Sequence, residues 1–219
     1  MKRTLLLVVT VVTMVLCVSG FAFAGEVNES DNSFSFSVHA NQNQLQKIEA
    51  LWNKSITEGE FLKEVFPSEY EKMPEQLKAY ADAREMAWPK KPSQIKEAKQ
   101  AKEVVAPDAI VVVRKDSSMD VSGSIIDFES YSEVWLPVGY KMPYMSVSSS
   151  LWGILEDDDT EYLMDFAYDS GYLVSEVSAE GTYPTITDAY YMVTGIHSNE
   201  FESGPSVEYS DSGDPVWVD

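Results

Sequence analysis

Between residues 185 and 199 the chain reads Thr-Ile-Thr-Asp-Ala-Tyr-Tyr-Met-Val-Thr-Gly-Ile-His-Ser-Asn, and no other stretch limits the fold as much. Side chains of a strand alternate between its two faces, so Tyr190, Met192, Thr194 and Ile196 fall on one side and Tyr191, Val193 and His197 on the other. Both sides are largely apolar. Such a strand needs neighbours in its own sheet and cover above and below, which places it at the centre of the second half of the chain.

The rest of that half is written in the same period. Residues 110–113 form a continuous apolar run, 119–128 alternate, and 132–137 give a further short strand. Residues 143–155 and 160–168 flank an acidic tip and read as a hairpin, followed by strands at 172–179, 206–210 and 216–218, with 181–184 leading into the strand at 185–199. Seven to nine short strands in about 115 residues suit a two-sheet sandwich.

Residues 41–92 have a helical period. Asn41 is placed to cap a helix whose apolar stripe is Leu45, Ile48, Leu51 and Trp52. Thr57 with Glu60 forms a capping box for the next, which buries Phe61, Leu62 and Val65 and stops at Pro67. Ser68 with Glu71 repeats the box for a short turn, and Pro74 opens a third helix with Leu77, Tyr80, Ala81 and Arg84 on one side. Residues 93–104, rich in lysine and alanine, read as a solvated linker helix.

The first 24 residues have the form of a secretory signal peptide: Lys2-Arg3, an apolar run over 5–18, then Ala22-Phe23-Ala24 before Gly25. Cys17 leaves with it, so the core must hold the secreted chain together without disulfides. Residues 25–40 read as a flexible arm in which 33–38 alternate strictly, as an edge strand would.

Charge is divided unevenly. Residues 25–103 carry fourteen acids and eleven bases, whereas residues 104–219 carry twenty-two acids against Arg114, Lys115 and Lys141. A second half so acidic should repel nucleic acid and anionic membrane, whose binding depends on lysine and arginine. Cations, basic proteins and neutral glycans fit it better.

The segment Asp188-Ala189-Tyr190-Tyr191-Met192 resembles the Asp-x-Ala-x-Tyr-x-Cys segment of immunoglobulin-like domains, with a shorter spacing before Tyr190 and Met192 where the cysteine stands. The resemblance implies a corner tyrosine at Tyr190 and a sandwich of that type. It implies no activity, because one fold hosts many functions.

Candidate chemistry is sparse. Glu156, Asp157, Asp158, Asp159 and Glu161 offer oxygens for calcium but lack the EF-hand spacing, and read first as a solvated hairpin tip. Two histidines remain after Gly25, His39 and His197, too few for a histidine cage, and no Gly-x-Ser-x-Gly supplies a nucleophile elbow. Trp135, Tyr140, Tyr144 and Tyr191 are the candidate binding surface, able to stack on sugar rings or anchor a protein. Core packing accounts for the same aromatics.

The expectation is an α+β protein: signal peptide 1–24, arm 25–40, helical module 41–92, linker helix 93–104 and an acidic, immunoglobulin-like antiparallel β-sandwich over 105–219. It is expected to be secreted and non-catalytic, without a resident cofactor or membrane insertion, binding a protein or cell-surface glycan through the sandwich. The alternative is a secreted hydrolase using paired carboxylates.

Overall fold

A computed structural model of the chain describes residues 33–98, 111–155, 160–186, 188–201 and 204–218. Among the described residues are nine strands: β1 (Phe34–His39), β2 (Val112–Ser122), β3 (Ile125–Leu136), β4 (Met145–Leu155), β5 (Glu161–Tyr172), β6 (Glu176–Pro184), β7 (Ala189–Phe201), β8 (Gly204–Asp211) and β9 (Val216–Val218). Five helices, α1 (Gln42–Leu51), α2 (Glu58–Val65), α3 (Pro67–Lys72), α4 (Glu75–Ala83) and α5 (Pro92–Ala98), lie between β1 and β2 in sequence.

The strands form two antiparallel sheets. The larger runs β1-β5-β4-β7-β8 with β9 also on β7; the smaller runs β2-β3-β6. This division of six and three differs from the four and three of the immunoglobulin constant-type sandwich. β7 is interior, between β4 and β8, and its residues 191–199 are buried without a break. That explains its doubly apolar sequence, because the small sheet covers one face of the large sheet and the helices cover the other.

Period two assigns each side chain to a layer. Val147, Leu151, Ala167, Tyr191 and Val193 point toward the small sheet and meet Ile126, Phe128, Val134, Val177 and Ala179 there. Trp152, Leu163, Phe166 and Tyr168 point the other way and share a second core with Leu45, Ile48, Phe61, Phe66 and Leu77 of the helices. Full burial of each large apolar side chain contributes roughly 1.5–3 kcal/mol, so the second core is a large share of the stability. The helices are therefore a third layer on the sheet. A helical unit this short could not hold itself together alone.

Local signals set the helix boundaries. Asn41 accepts from the backbone of Asn43 and Gln44 while Gln44 reaches back to the Asn41 amide, and Thr57 and Glu60 make the same reciprocal box. Ser68 makes no cap. Pro67 occupies the first turn of α3 instead, so that helix starts two residues earlier than the Ser68-Glu71 pattern predicts. α5 buries Ile95 and Pro92, so its first turn is docked where the sequence suggests a solvated linker. Residues 99–104 of the expected helix lie outside the described residues, as do the signal peptide and residues 25–32 of the arm.

β1 carries the alternating arm into the large sheet. It pairs with β5 from Phe34 opposite Tyr172 to His39 opposite Ala167, burying Phe36 and Val38 under the helices. On its other face Ser37 donates to Asp169 at 2.9 Å and His39 Nε2 lies 2.9 Å from Asp165. Burial pushes the Asp169 carboxyl up to about 7 despite hydrogen bonds from Ser37 and the backbone of Ser178. The contact with Asp165 raises the pKa of His39.

Two polar networks sit inside the layers. Between helices and sheet, Glu58 is buried and accepts from Tyr144 at 2.5 Å, Tyr168 at 3.1 Å and Ser146 at 3.2 Å, beside Arg84. Burial pushes the Glu58 carboxyl up, against the pull of the Arg84 guanidinium. Between the sheets, His197 contacts Ser132 at 2.9 Å and Ser210 at 2.6 Å, and Ser117 joins Ser210 to Ser130. Gly195 leaves room for this cluster: a Cβ there would stand 2.4 Å from the Ser117 hydroxyl.

Candidate interaction face

The buried networks are closed to substrate. His197 touches serine on both ring nitrogens but is wholly buried, and burial, helped by the charge of Lys115, lowers its pKa to about 3. It is a neutral histidine that satisfies core hydroxyls, and Lys115 is turned to Glu208. Asp165 and Asp169 share a face of β5 four residues apart, about 13 Å along a strand, beyond the carboxylate spacing of glycoside hydrolysis.

The aromatic candidates separate into two groups. Trp135 is 48% exposed at the end of β3, and Tyr140 is half-buried in the following loop. Tyr144 and Tyr191 are fully buried, which corrects their expected place on the surface. Tyr144 stacks on Tyr80 with 5.3 Å between ring centroids and binds Glu58. Tyr191 faces the sandwich interior, where its hydroxyl donates to the Ile186 carbonyl at 3.0 Å and accepts from the Ile186 amide at 2.8 Å. That is the bonding of a corner tyrosine, made one residue later than the resemblance at Tyr190 implies. Tyr190 faces outward and packs on Trp217.

Residues 156–159 of the acidic loop lie outside the described residues. Glu161 opens β5, and its carboxylate accepts from the backbone and hydroxyl of Ser93 at 2.7 and 2.9 Å. Among the described residues no three histidine, cysteine, aspartate or glutamate side chains are grouped to hold a metal ion.

The open surface with the most pronounced chemistry is the outer face of the small sheet. Its inner face is filled by Ile126, Phe128, Ser130, Ser132 and Val134 of β3, so alternation turns Asp127, Glu129, Tyr131, Glu133 and Trp135 outward. Arg114, Asp116, Ser118 and Asp120 of β2 and Glu176, Ser178, Glu180 and Thr182 of β6 complete the face. These strands present seven carboxylates against one guanidinium.

The register sets like charges opposite one another. Asp120 faces Asp127 across β2 and β3, while Glu129 faces Glu180 and Glu133 faces Glu176 across β3 and β6. Hydroxyls relieve some of this, Thr182 donating to Asp127 at 2.8 Å and Ser178 to Glu129 at 2.5 Å. Arg114 lies opposite Glu133 and stacks on Trp135, 4.6 Å from the ring centroid. Beyond Trp135 the turn exposes Leu136 and Val138, so an apolar tip adjoins the acidic lattice.

Charge totals alone could not locate this face. The signal was in the sequence, as acids two or four residues apart in Asp116-Ser-Ser-Met-Asp120, Asp127-Phe-Glu129 and Glu176-Val-Ser-Ala-Glu180, which share a face once those stretches are read as strands of a single sheet.

No family model and no curated protein matches the chain. Among solved structures, the solution structure of R. palustris CsgH aligns at 10% identity and a TM-score of 0.30, covering 46% of this chain and 90% of that one. ACE19, the collagen-binding subdomain of the Enterococcus faecalis surface protein ACE, aligns at 7% identity and 0.23, covering 49% of this chain and 98% of that one. Similarity this loose assigns neither a fold family nor a function.

Proposed function

We propose that this protein is a secreted, non-catalytic interaction module that binds a cationic protein at a cell surface through the outer face of the small sheet, with Trp135 as the apolar anchor at its edge. The observation that carries the reading is the set of three like-charged pairs held in register on an open face. Directly opposed like charges destabilise a sheet, by up to about 1 kcal/mol per pair, and a lysine in each pair would remove the cost. Retaining them makes sense if a partner of opposite charge covers the face. The burial of Tyr144 and Tyr191 favours protein over glycan, since it withdraws two of the four candidate rings on which a sugar could stack. An immunoglobulin-like descent for the sandwich is supported by the Tyr191 corner.

The test is retention on immobilised poly-lysine and on a cationic protein, lysozyme, across a sodium chloride series. Asp127→Lys, Glu129→Lys and Glu180→Lys combined should abolish retention of lysozyme, and Trp135→Ala should weaken it. Glu69→Lys, Glu71→Lys and Glu75→Lys, an equal charge change on the helices, should leave most of it. Equal loss from both sets would reduce the effect to net charge and remove the assignment to this face.

A further inference from the structure

We propose a second binding subsite at the edge of the large sheet, for one apolar side chain of an extended partner segment carrying lysine or arginine beside it. β1 covers β5 only as far as Ala167. There the Ala40 amide donates to the Phe166 carbonyl at 2.9 Å and the chain leaves the sheet for α1. Residues 161–165 of β5 continue paired with β4, and α1 packs against β5. Between α1, this length of β5 and the start of β7 is a cavity of about 280 Å³.

Leu163, Met164 and Tyr191 are among its lining residues, and the exposed Leu155, Tyr162 and Ile186 also line it. One wall is fixed in advance, because the Tyr191 hydroxyl holds the Ile186 backbone through both its N–H and its carbonyl. The shape suits an extended chain, which can lie along β5 in the line β1 vacates and insert alternate side chains. Its volume is below the range of drug-sized ligand sites, which suits a single side chain.

The charge selects the partner. Glu49, exposed on α1, is the one charged residue among the described residues of the lining, and the chain as a whole carries −20. Lysine or arginine next to the inserted side chain complements Glu49, whereas an acidic flank is repelled. The subsite shares the sign of its partner with the reading of the acidic face but stands on different residues, so either can fail alone.

Gly153 supplies a variant that fills the cavity from its floor. A Cβ there would meet the side chain of Met164, itself part of the lining, at 2.9 Å, so that flexible chain must shift. The probes are two capped peptides of alternating valine and threonine around a central leucine, one ending in two arginines and the other in two glutamates. A dodecyl-chain detergent below its micelle concentration serves as a third probe. Binding to the purified protein is followed by calorimetry and by amide NMR shifts.

We expect the arginine peptide to bind at least tenfold more tightly than the glutamate peptide, with shifts at Leu155, Tyr162 and Ile186. Gly153→Ala should weaken it at least fivefold, and Glu49→Arg, a surface change that leaves the core intact, should reverse the preference between peptides. No binding of either peptide, equal affinities, or indifference to both variants would overturn the proposal. Preferential uptake of the detergent would also overturn it in favour of a lipid-like ligand. Loss only in the Asp127, Glu129 and Glu180 reversal would send the peptide to the acidic face instead.

Discussion

Arg84 lies against Glu58 in the protein interior, 3.8 Å from Nε to the nearer carboxylate oxygen, and from Nη1 donates to Glu200 at 2.7 Å. Its guanidinium thus connects the start of α2 with the end of β7, and also covers the ring of Tyr144. Arg84→Met should cost about 3–5 kcal/mol, because it leaves a buried carboxylate uncompensated. Glu58→Gln with Arg84→Met should lose clearly less than the sum of the singles. Urea unfolding of the four species measures the coupling, and strict additivity would mean the two groups do not interact.

Asp169 and His39 make the docking of β1 dependent on pH. Asp169 has a folded pKa near 7 against an ordinary 3.8, so the folded state binds the extra proton and stability falls as pH rises from about 4 to 7. The full shift corresponds to at most about 4 kcal/mol. His39 adds the same sign: its pKa is raised, so its contribution is present below about 6.5 and fades as pH passes the folded value. Ser37, Asp165, Ser178 and Glu180 are the other polar groups nearby. Amides of residues 34–39 should exchange faster at pH 8 than at pH 5 after correction for intrinsic rates. Asp169→Asn should remove most of the difference.

Asn199 is fully buried, and neither its side-chain nitrogen nor its side-chain oxygen has a hydrogen-bond partner among the described residues. Its cross-strand neighbour on the sandwich side is Met145. Replacing an unsatisfied buried amide by an apolar group of similar shape relieves a desolvation cost of about 1–3 kcal/mol. Asn199→Leu should therefore raise the melting temperature, which thermal unfolding reads directly.

Glu180→Lys should stabilise the protein while weakening the cationic partner. It turns the Glu180–Glu129 opposition into an attraction, a change of roughly 0.5–1 kcal/mol that shrinks as salt is added. Stability and retention on lysozyme measured on one preparation should move in opposite directions. A variant gaining both would contradict the function proposed for the face.

The sequence disclosed the elements better than their partners. The Asn41 cap and the Thr57-Glu60 capping box are written in nearby residues and appear where the pattern puts them, and the two apolar faces of β7 follow from period two alone. Trp135 was legible as a candidate because a strand-end aromatic is visible locally. Tyr144 and Tyr191 were misplaced because their burial depends on Glu58 and Ile186, contacts that residue type does not reveal. The acidic face needed the β2-β3-β6 order, in which β6 joins from across two strands of the other sheet.

The layer of helices has a consequence for the order in which the chain can take shape. Tyr168 lies 110 positions after Glu58, and Glu200 lies 116 after Arg84. A growing chain therefore makes all five helices before it makes the sheet they cover, and the apolar stripe of Leu45, Ile48, Phe61 and Leu77 has nothing to close against until β4, β5 and β7 exist. Contacts so distant in sequence form slowly. A chain exported unfolded, as proposed above, would benefit from that delay, and one held too long before export would expose the same stripe to chaperones or to other copies of itself.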